Sequence, residues 1–299
     1  LYEKVLDYLI TDKSGLYIDG TLGAGGHAAG IAGILQGNGK LIAFDKDEEA
    51  IEYCGIKFRG ENDTKGERVI LINDSYDKAC SITEGAMISG FFLDLGLSSR
   101  QLDKAERGFS FRSDAPIDMR FGRKGESAEL LINTATEEEL YVILKKYGEE
   151  PFTRNIVKRL ITTRITTNIK TTFQLAEIIR ESVPRQHHNK SLARVFQAIR
   201  IAINNELDIL EWTLVNILPK MMTGGRIVII SYHSLEDKIV KDFFRRMSAP
   251  QEKDEITGAI IIPAELKILT KKPIVPDDAE LVRNPRSRSA KLRVAEITS

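Results

Sequence analysis

Apolar positions in the first third of the chain fall into short continuous runs, three of which end in an acid: Leu16-Tyr17-Ile18-Asp19, Lys40-Leu41-Ile42-Ala43-Phe44-Asp45 and Ser89-Gly90-Phe91-Phe92-Leu93-Asp94. Runs this short, with little polar alternation, predict strands buried on both faces. Arg68 to Ile72 is a fourth run, followed by Asn73-Asp74-Ser75-Tyr76. Between them the period lengthens to that of a helix. Ala28 to Leu35 is one such stretch. Asp47 is placed to cap the next, with Glu48 and Glu49 in its first turn. Strand, acidic end and helix in repetition predict a doubly wound parallel sheet, an α/β fold.

The rhythm then stops. From about Lys104 to Asn204 no central strand is readable. Glu137 to Tyr147, Thr153 to Ile161, Thr172 to Glu181 and Leu192 to Ile203 carry helical periodicity. Thr136 with Glu139 forms a capping box for the first, the third stops before Pro184, and Gln186 to Lys190 reads as a polar connector. The sheet pattern resumes with a helix over Asn205 to Pro219 and a strand over Gly224 to Ser231. Ser234 with Asp237 then resembles a capping box opening a helix to Arg246. Leu266 to Thr270 and Ala290 to Ile297 are expected to pair as edge strands, while Pro250 to Pro285 is poorly predictable. The expected organisation is an α/β domain made of residues 1–103 and 205–299, interrupted by an inserted all-helical domain over 104–204.

Composition removes several classes of function. No apolar run approaches the ~20 residues of a membrane span, and no signal peptide is visible. Cys54 and Cys80 are the only cysteines, and His27, His187, His188 and His233 are scattered. A disulfide framework or zinc site is not expected, and a cytoplasmic location is. The chain begins at Leu1 rather than Met, so a preceding stretch is expected. The 43 basic and 43 acidic residues cancel, so any attraction for nucleic acid must be local. Lys104 to Lys124 carries six basic residues against three acidic, and Arg283 to Ser299 five against one.

The candidate chemistry gathers at the carboxyl ends of the strands, where open α/β sheets bind ligands. Asp19 runs into Gly20-Thr21-Leu22-Gly23-Ala24-Gly25-Gly26-His27, a turn whose glycines permit positive φ and close backbone approach. Asp45 lies twenty residues beyond Gly25, the interval at which a carboxylate reaches a ligand ribose. Gly30 is too late to supply the third glycine of a dinucleotide fingerprint, so S-adenosylmethionine, which has no phosphate, suits the turn better than a nicotinamide dinucleotide. After Asp94 comes Leu95-Gly96-Leu97-Ser98-Ser99-Arg100-Gln101, where amino-methylating enzymes commonly place an acid or amide, two prolines and an aromatic. Here only the acid is present, and Ser98, Ser99 and Gln101 also fit a helix start. In Arg107-Gly108-Phe109-Ser110-Phe111-Arg112, arginine interleaves with phenylalanine. That suits phosphate neutralisation with base stacking, or equally a packed loop with ion pairs.

Residues 17–27 and 93–99 together resemble the bacterial 16S ribosomal RNA cytosine-N4 methyltransferase family. Gln101-Leu102-Asp103, Glu106 to Phe111, Pro116 to Arg120, Tyr147 to Glu150, Phe196 to Ile201, Ser231 to Asp237 and Asn284 to Ala290 extend the likeness over nearly the whole chain. The resemblance implies a class I, Rossmann-like S-adenosylmethionine-dependent methyltransferase with an inserted helical domain for RNA recognition. It implies methylation of the exocyclic N4 of one cytosine in the decoding region of 16S rRNA, in the small ribosomal subunit or its precursor. Carried over by position, the cofactor contacts are Gly25, Gly26, His27, Asp45, Tyr76, Asp94 and Gln101. Tyr76 stands where many relatives have phenylalanine, Ala115 replaces a usual glycine, and Lys190 to Val195 departs from the usual residues.

Neither cysteine sits in an attacking motif, so direct in-line transfer without a covalent intermediate is expected. Asp94 is the first candidate to accept an amine hydrogen, with Ser98 and Asp118 behind it. His233 with Ser234 and Asp237 is expected to cap a helix rather than form a triad. Arg107, Phe109, Arg112, Arg120, Arg286 and Arg288 are the expected RNA contacts. Neither a metal nor a membrane is called for, and monomer and homodimer both stay open. Two other readings compete: a non-catalytic RNA-binding protein that retains a cofactor pocket, and an NAD-dependent oxidoreductase.

Overall fold

The computed structural model describes residues 1–59, 68–82, 85–250, 252–253 and 260–298, and the chain divides into two compact units. One is built from Leu1–Gly96 with Leu207–Ser299 and carries the sheet. The other, Leu97–Glu206, is helical.

In the first unit α1 (Tyr2–Leu9) precedes β1 (Leu16–Asp19), α2 (Gly26–Ile34), β2 (Lys40–Phe44), α3 (Glu48–Arg59), β3 (Val69–Ile72), α4 (Ala79–Ile82) and β4 (Ile88–Asp94). The chain returns to this unit through α11 (Glu206–Ile217), β5 (Met221–Ser231) and α12 (Ser234–Met247). A two-stranded antiparallel pair follows, β6 (Glu252–Lys253) with β7 (Ile260–Ile262), and then β8 (Leu266–Ile268), α13 (Asp278–Arg283) and β9 (Lys291–Ile297). The main sheet has seven strands in the order β3-β2-β1-β4-β5-β9-β8. β1 to β5 pair in parallel, and β9 runs antiparallel to both β5 and β8.

The acid-ended runs became strands because both sheet faces are covered. Ile18, Phe44, Phe91, Leu93, Ile227 and Ile229 are buried against α11 and α12. Tyr17, Leu41, Ala43, Phe92, Val228 and Ile230 are buried on the other face with α1 and α2. The pairing of Leu266–Ile268 with the C-terminal strand matches expectation, but only β8 is an edge. β9 is interior. Its charged Arg293 is buried there because the guanidinium meets the Asp237 carboxylate, Nε to Oδ1 at 2.7 Å and Nη2 to Oδ2 at 3.3 Å. Lys291 adds a contact to the same carboxylate at 3.2 Å, and together these hold Asp237 below the usual carboxylate range against the effect of burial.

That pairing also corrects the start of α12. Asp237 does not close a capping box with Ser234. His233 is the capping residue, its Nδ1 accepting from Glu236 N, while Glu236 Oε2 accepts from His233 N at 3.2 Å. Any triad of His233, Ser234 and Asp237 is thereby ruled out.

The helical unit holds α5 (Ser99–Asp103), α6 (Ala128–Thr134), α7 (Glu137–Gly148), α8 (Thr153–Thr166), α9 (Thr172–Ser182) and α10 (His188–Asn204). Its described residues form no strand, only an isolated bridge between Pro116 and Thr171. Capping boxes open α5, α7 and α9 at Ser98, Thr136 and Thr171. α10 begins at His188, four residues before the start expected at Leu192, because Arg185–His187 forms a 3-10 turn that leads straight into it. Leu140, Leu144, Ile156, Leu160, Leu175, Ile179, Leu192 and Phe196 form a core within this unit.

Candidate functional site

The carboxyl ends of β1, β2 and β4 bring three acids of the sheet unit into electrostatic contact. Asp19 is fully buried. Its Oδ1 accepts from Thr21 N at 3.0 Å, and its Oδ2 has no hydrogen-bond partner among the described residues. Burial, with like charge from Asp94 and Asp45, pushes its carboxyl up to about 7 although the Thr21 bond opposes the shift. Asp45 braces the glycine turn from the next strand: its Oδ2 accepts from Gly23 N at 2.8 Å and its Oδ1 from Asp47 N at 2.9 Å. Gly25 is left-handed (φ 69°) and lies so close to α3 that an added Cβ would sit 2.8 Å from Cys54 Sγ. A Cβ on Gly26 would meet nothing within 4 Å. One glycine is required by packing and backbone; its neighbour faces open space. Tyr76, in a 3-10 turn after β3, packs beside Gly20.

Asp94 ends β4. Thr21 Oγ1 accepts from its backbone N at 2.6 Å, fixing the strand end against the glycine turn. The Tyr232 hydroxyl donates to Asp94 Oδ1 at 3.0 Å, and Asp94 Oδ2 lies 3.7 Å from His27 Nδ1. Burial pushes the Asp94 carboxyl up to about 6 even though the Tyr232 bond lowers it. His27 packs against Phe92, ring centroids 4.7 Å apart, and burial pushes its imidazole down to about 4. At neutral pH the ring is uncharged, so it does not neutralise Asp94. Tyr232 was not singled out in the sequence; it lies 138 residues from its partner, and no local pattern marks such a pair.

The other expected residues divide differently. Ser98 and Gln101 belong to the helical unit, where they cap each other: Ser98 Oγ accepts from Gln101 N at 3.2 Å and Gln101 Oε1 from Ser98 N at 3.0 Å. Asp118 is bound in a fork by Arg120, Nε to Oδ1 at 2.8 Å and Nη2 to Oδ2 at 2.7 Å. Its carboxyl is held below the usual range by those bonds although burial opposes them. A paired carboxylate of depressed basicity is a poor proton acceptor. Arg120 also donates to the carbonyls of Arg123 and Gly125, and Arg107 to those of Arg120 and Phe121. Phe109 is 8% exposed and belongs to the helical core. In this structure these three residues build a loop. Arg112, Arg286 and Arg288 are exposed.

Among the described residues no His, Cys, Asp or Glu group could hold a metal ion, and no helix is long and apolar enough to cross a membrane.

The strand order departs from the open dinucleotide-binding order 3-2-1-4-5-6 by one antiparallel strand set between β5 and the edge. With an acid at the end of each of three strands and a glycine turn braced between them, this is a Rossmann-like methyltransferase fold. The chain belongs to the MraW methylase family, whose model matches residues 1–298. It is 44% identical over 308 residues to a ribosomal RNA small subunit methyltransferase H of Citrifermentans bemidjiense, covering 99% of this chain and 96% of that one. It is 42% identical over 303 residues to the protein of that name from Caldicellulosiruptor saccharolyticus, covering 99% and 97%. A crystal structure of an rRNA methylase from Streptococcus thermophilus aligns with a TM-score of 0.43 at 13% identity, covering 100% of this chain and 94% of that one. Membership in a methylase family leaves no place for the nicotinamide reading.

Proposed function

We propose that this protein transfers a methyl group from S-adenosylmethionine to the exocyclic N4 of one cytosine in the decoding region of 16S rRNA. Small-subunit ribosomal RNA as substrate is supported by the names of the relatives, and such a substrate implies a cytoplasmic enzyme. The choice of N4 and of the decoding region rests on the motif resemblance, and chemically on an uncharged-amine-compatible acceptor at Asp94.

The residues present fit the cofactor. Asp19 Oδ2, buried without a partner, suits a ligand ammonium group. The open side of Gly26 leaves room against the backbone. Asp45 suits the ribose hydroxyls, a carboxylate being an acceptor for both. Tyr76 supplies a ring for the adenine. Bound S-adenosylmethionine supplies a methyl carbon on a sulfonium, open to attack by a neutral amine.

The cytosine amine is a weak nucleophile because its lone pair is delocalised into the ring. Asp94 Oδ2 accepts one amine hydrogen as the nitrogen pyramidalises, then takes the proton that the new bond makes acidic. A carboxyl near 6 suits a proton acceptor working close to neutrality. Positioning of the reacting atoms in line is worth roughly 7–11 kcal/mol in well-ordered sites. No cysteine joins in: Cys54 is buried beneath the glycine turn, and burial pushes the Cys80 thiol up to about 11. The base must leave its stack to reach the site. Arg112, Arg286 and Arg288 remain the proposed RNA contacts, the helical unit being the proposed recognition element.

The single observation that carries this reading is Asp94 at the end of β4, one oxygen held by Tyr232 and the other facing an uncharged His27. The test adds this protein and methyl-labelled S-adenosylmethionine to small subunits from cells lacking the endogenous activity. N4-methylcytidine at one site, identified by mass spectrometry of nucleosides, is the expected product. Labelled C5-methylcytidine refutes the direct transfer. Absence of label, despite cofactor binding and a competent substrate, favours the non-catalytic RNA-binding protein.

A further inference from the structure

We infer that Tyr232 is a positioning residue for methyl transfer: its hydroxyl holds Asp94 Oδ1, so that Oδ2 alone is presented to the amine. The inference rests on the reading of Asp94 as the amine's acceptor; Tyr232 lies within the stretch Ser231 to Asp237, to which the resemblance attached no role for the phenol.

A carboxylate on a strand end rotates about two side-chain bonds and can offer either oxygen. Here both ends of the residue are fixed. The Asp94 backbone N donates to Thr21 Oγ1 at 2.6 Å and Tyr232 Oη donates to Asp94 Oδ1 at 3.0 Å. The tyrosine is itself tied down, since its backbone N donates to Glu236 Oε2 at 2.8 Å. Glu236 is buried and takes a second bond from His233 N, so the first turn of α12 sets the position of the phenol.

A phenol suits this task where a cation would not. It has one proton to give, so it occupies one oxygen and leaves the other lone pairs free. Burial and the neighbouring Asp94 charge push the Tyr232 phenol above its ordinary value, so it stays a donor across the working pH range. An arginine in its place would fork onto both oxygens, as Arg120 does to Asp118. The charged and titratable side chains around Asp94 are Asp19 on β1, His27 on α2, Tyr232 and, on α12, Glu236. Of these described groups, Tyr232 alone donates a hydrogen bond to the carboxylate. His27, at 3.7 Å, is uncharged at neutral pH and too distant for one.

Tyr232→Phe removes the hydroxyl and keeps the ring. Loss of a hydrogen bond to a charged group predicts a fall in kcat of roughly 10- to 100-fold, with the Kd for S-adenosylhomocysteine unchanged. The bond favours the ionised carboxylate, so in Y232F the Asp94 titration and the acid limb of the kcat profile both move to higher pH. A carbon-13 carboxyl NMR titration of the cofactor-free protein, with Asp94→Asn assigning the signal, reads the first of these without any turnover. An unmoved Asp94 titration in Y232F overturns the inference whatever the activity does, as does a kcat equal to that of the parent. A moved titration in a protein whose parent transfers no methyl group to cytosine N4 overturns the proposed reaction and leaves the pairing intact. If Y232F does not fold, Asp94→Asn reads the same pair from the other side. The labelled Tyr232 ring carbons should then shift relative to the parent at neutral pH, and unchanged ring shifts overturn the inference.

Discussion

Replacing Asp19 with asparagine tests whether the buried acid at the end of β1 is kept for a cationic ligand. In the folded chain this carboxyl sits at about 7 instead of 3.8, burial being the main cause. The unfolded chain loses the proton near 3.8, whereas the folded chain keeps it until about 7. Between these values the unfolded state binds fewer protons, so the site's contribution to stability falls as pH rises and levels off above the folded value. At about 1.36 kcal/mol for each tenfold change in proton affinity, the full span is about 4 kcal/mol. The asparagine side chain keeps the shape and carries no charge. D19N should therefore gain stability relative to its parent as pH is raised from about 4 to 8, by up to ~4 kcal/mol. His27, whose imidazole also titrates low, is common to both proteins and cancels in the difference. Urea denaturation at a series of pH values measures this directly. Adding S-adenosylmethionine supplies the second half of the test. Its ammonium would pair with the ionised Asp19, so the parent's affinity should rise with pH through about 7 and that of D19N should not. A stability difference that stays constant across the range refutes the argument, because the proton would then be released in the folded state as easily as in the unfolded one.

Gly25→Ala forces a side chain into the left-handed region, at about 1–2 kcal/mol, and brings its Cβ to 2.8 Å from Cys54 Sγ. The turn should shift and S-adenosylhomocysteine affinity fall roughly tenfold or more by calorimetry, that being the same strain expressed in binding; an unchanged Kd with unchanged stability would contradict the assigned role. Asp237→Ala leaves Arg293 buried without its partner and should cost about 3–5 kcal/mol in urea denaturation at neutral pH. Because Asp237 is held below its ordinary value, its stabilising contribution is present above about pH 4 and lost as pH falls through the folded value. The deficit of D237A should therefore shrink on acidification; a deficit that does not depend on pH would show that packing, not charge, is what was lost.

How far the sequence could be read depended on whether a residue's partners were near it in the chain. β1, β2 and β4 were legible because strands covered on both faces leave continuous apolar runs, and the acids at their ends stand out against them. The Thr136–Glu139 capping box was legible because both partners sit within one turn. Where the partner is remote, local pattern misleads. The C-terminal strand was expected at an edge, and its interior place depends on Asp237, fifty-six residues before Arg293, meeting that guanidinium. For Phe109 and Arg107 the sequence left a nucleic-acid pattern and a packed loop both open; only the fold shows the ring in a core and the guanidinium on a loop carbonyl fourteen residues away. Tyr232 lies in the quoted stretch Ser231 to Asp237, but its pairing with Asp94 was not legible, since its hydroxyl acquires a task only once β4 and β5 lie side by side.

The pairing of β4 with β5 has a consequence for how the chain is made. β4 is complete at Asp94, but its parallel neighbour does not begin until Met221. Ribosomes add about 5–20 residues per second, so the intervening stretch takes roughly 6 to 25 s to synthesise. Through that interval the nascent half-sheet carries a bare hydrophobic edge, from Ile88 to Leu93, of the kind that recruits other strands. The helical unit, whose core draws only on its own contiguous residues, has what it needs to close while the half-sheet waits. Biogenesis therefore places the demand for chaperone protection on β4, and a pulse of translation arrest between Asp94 and Met221 is when the chain is most prone to aggregate.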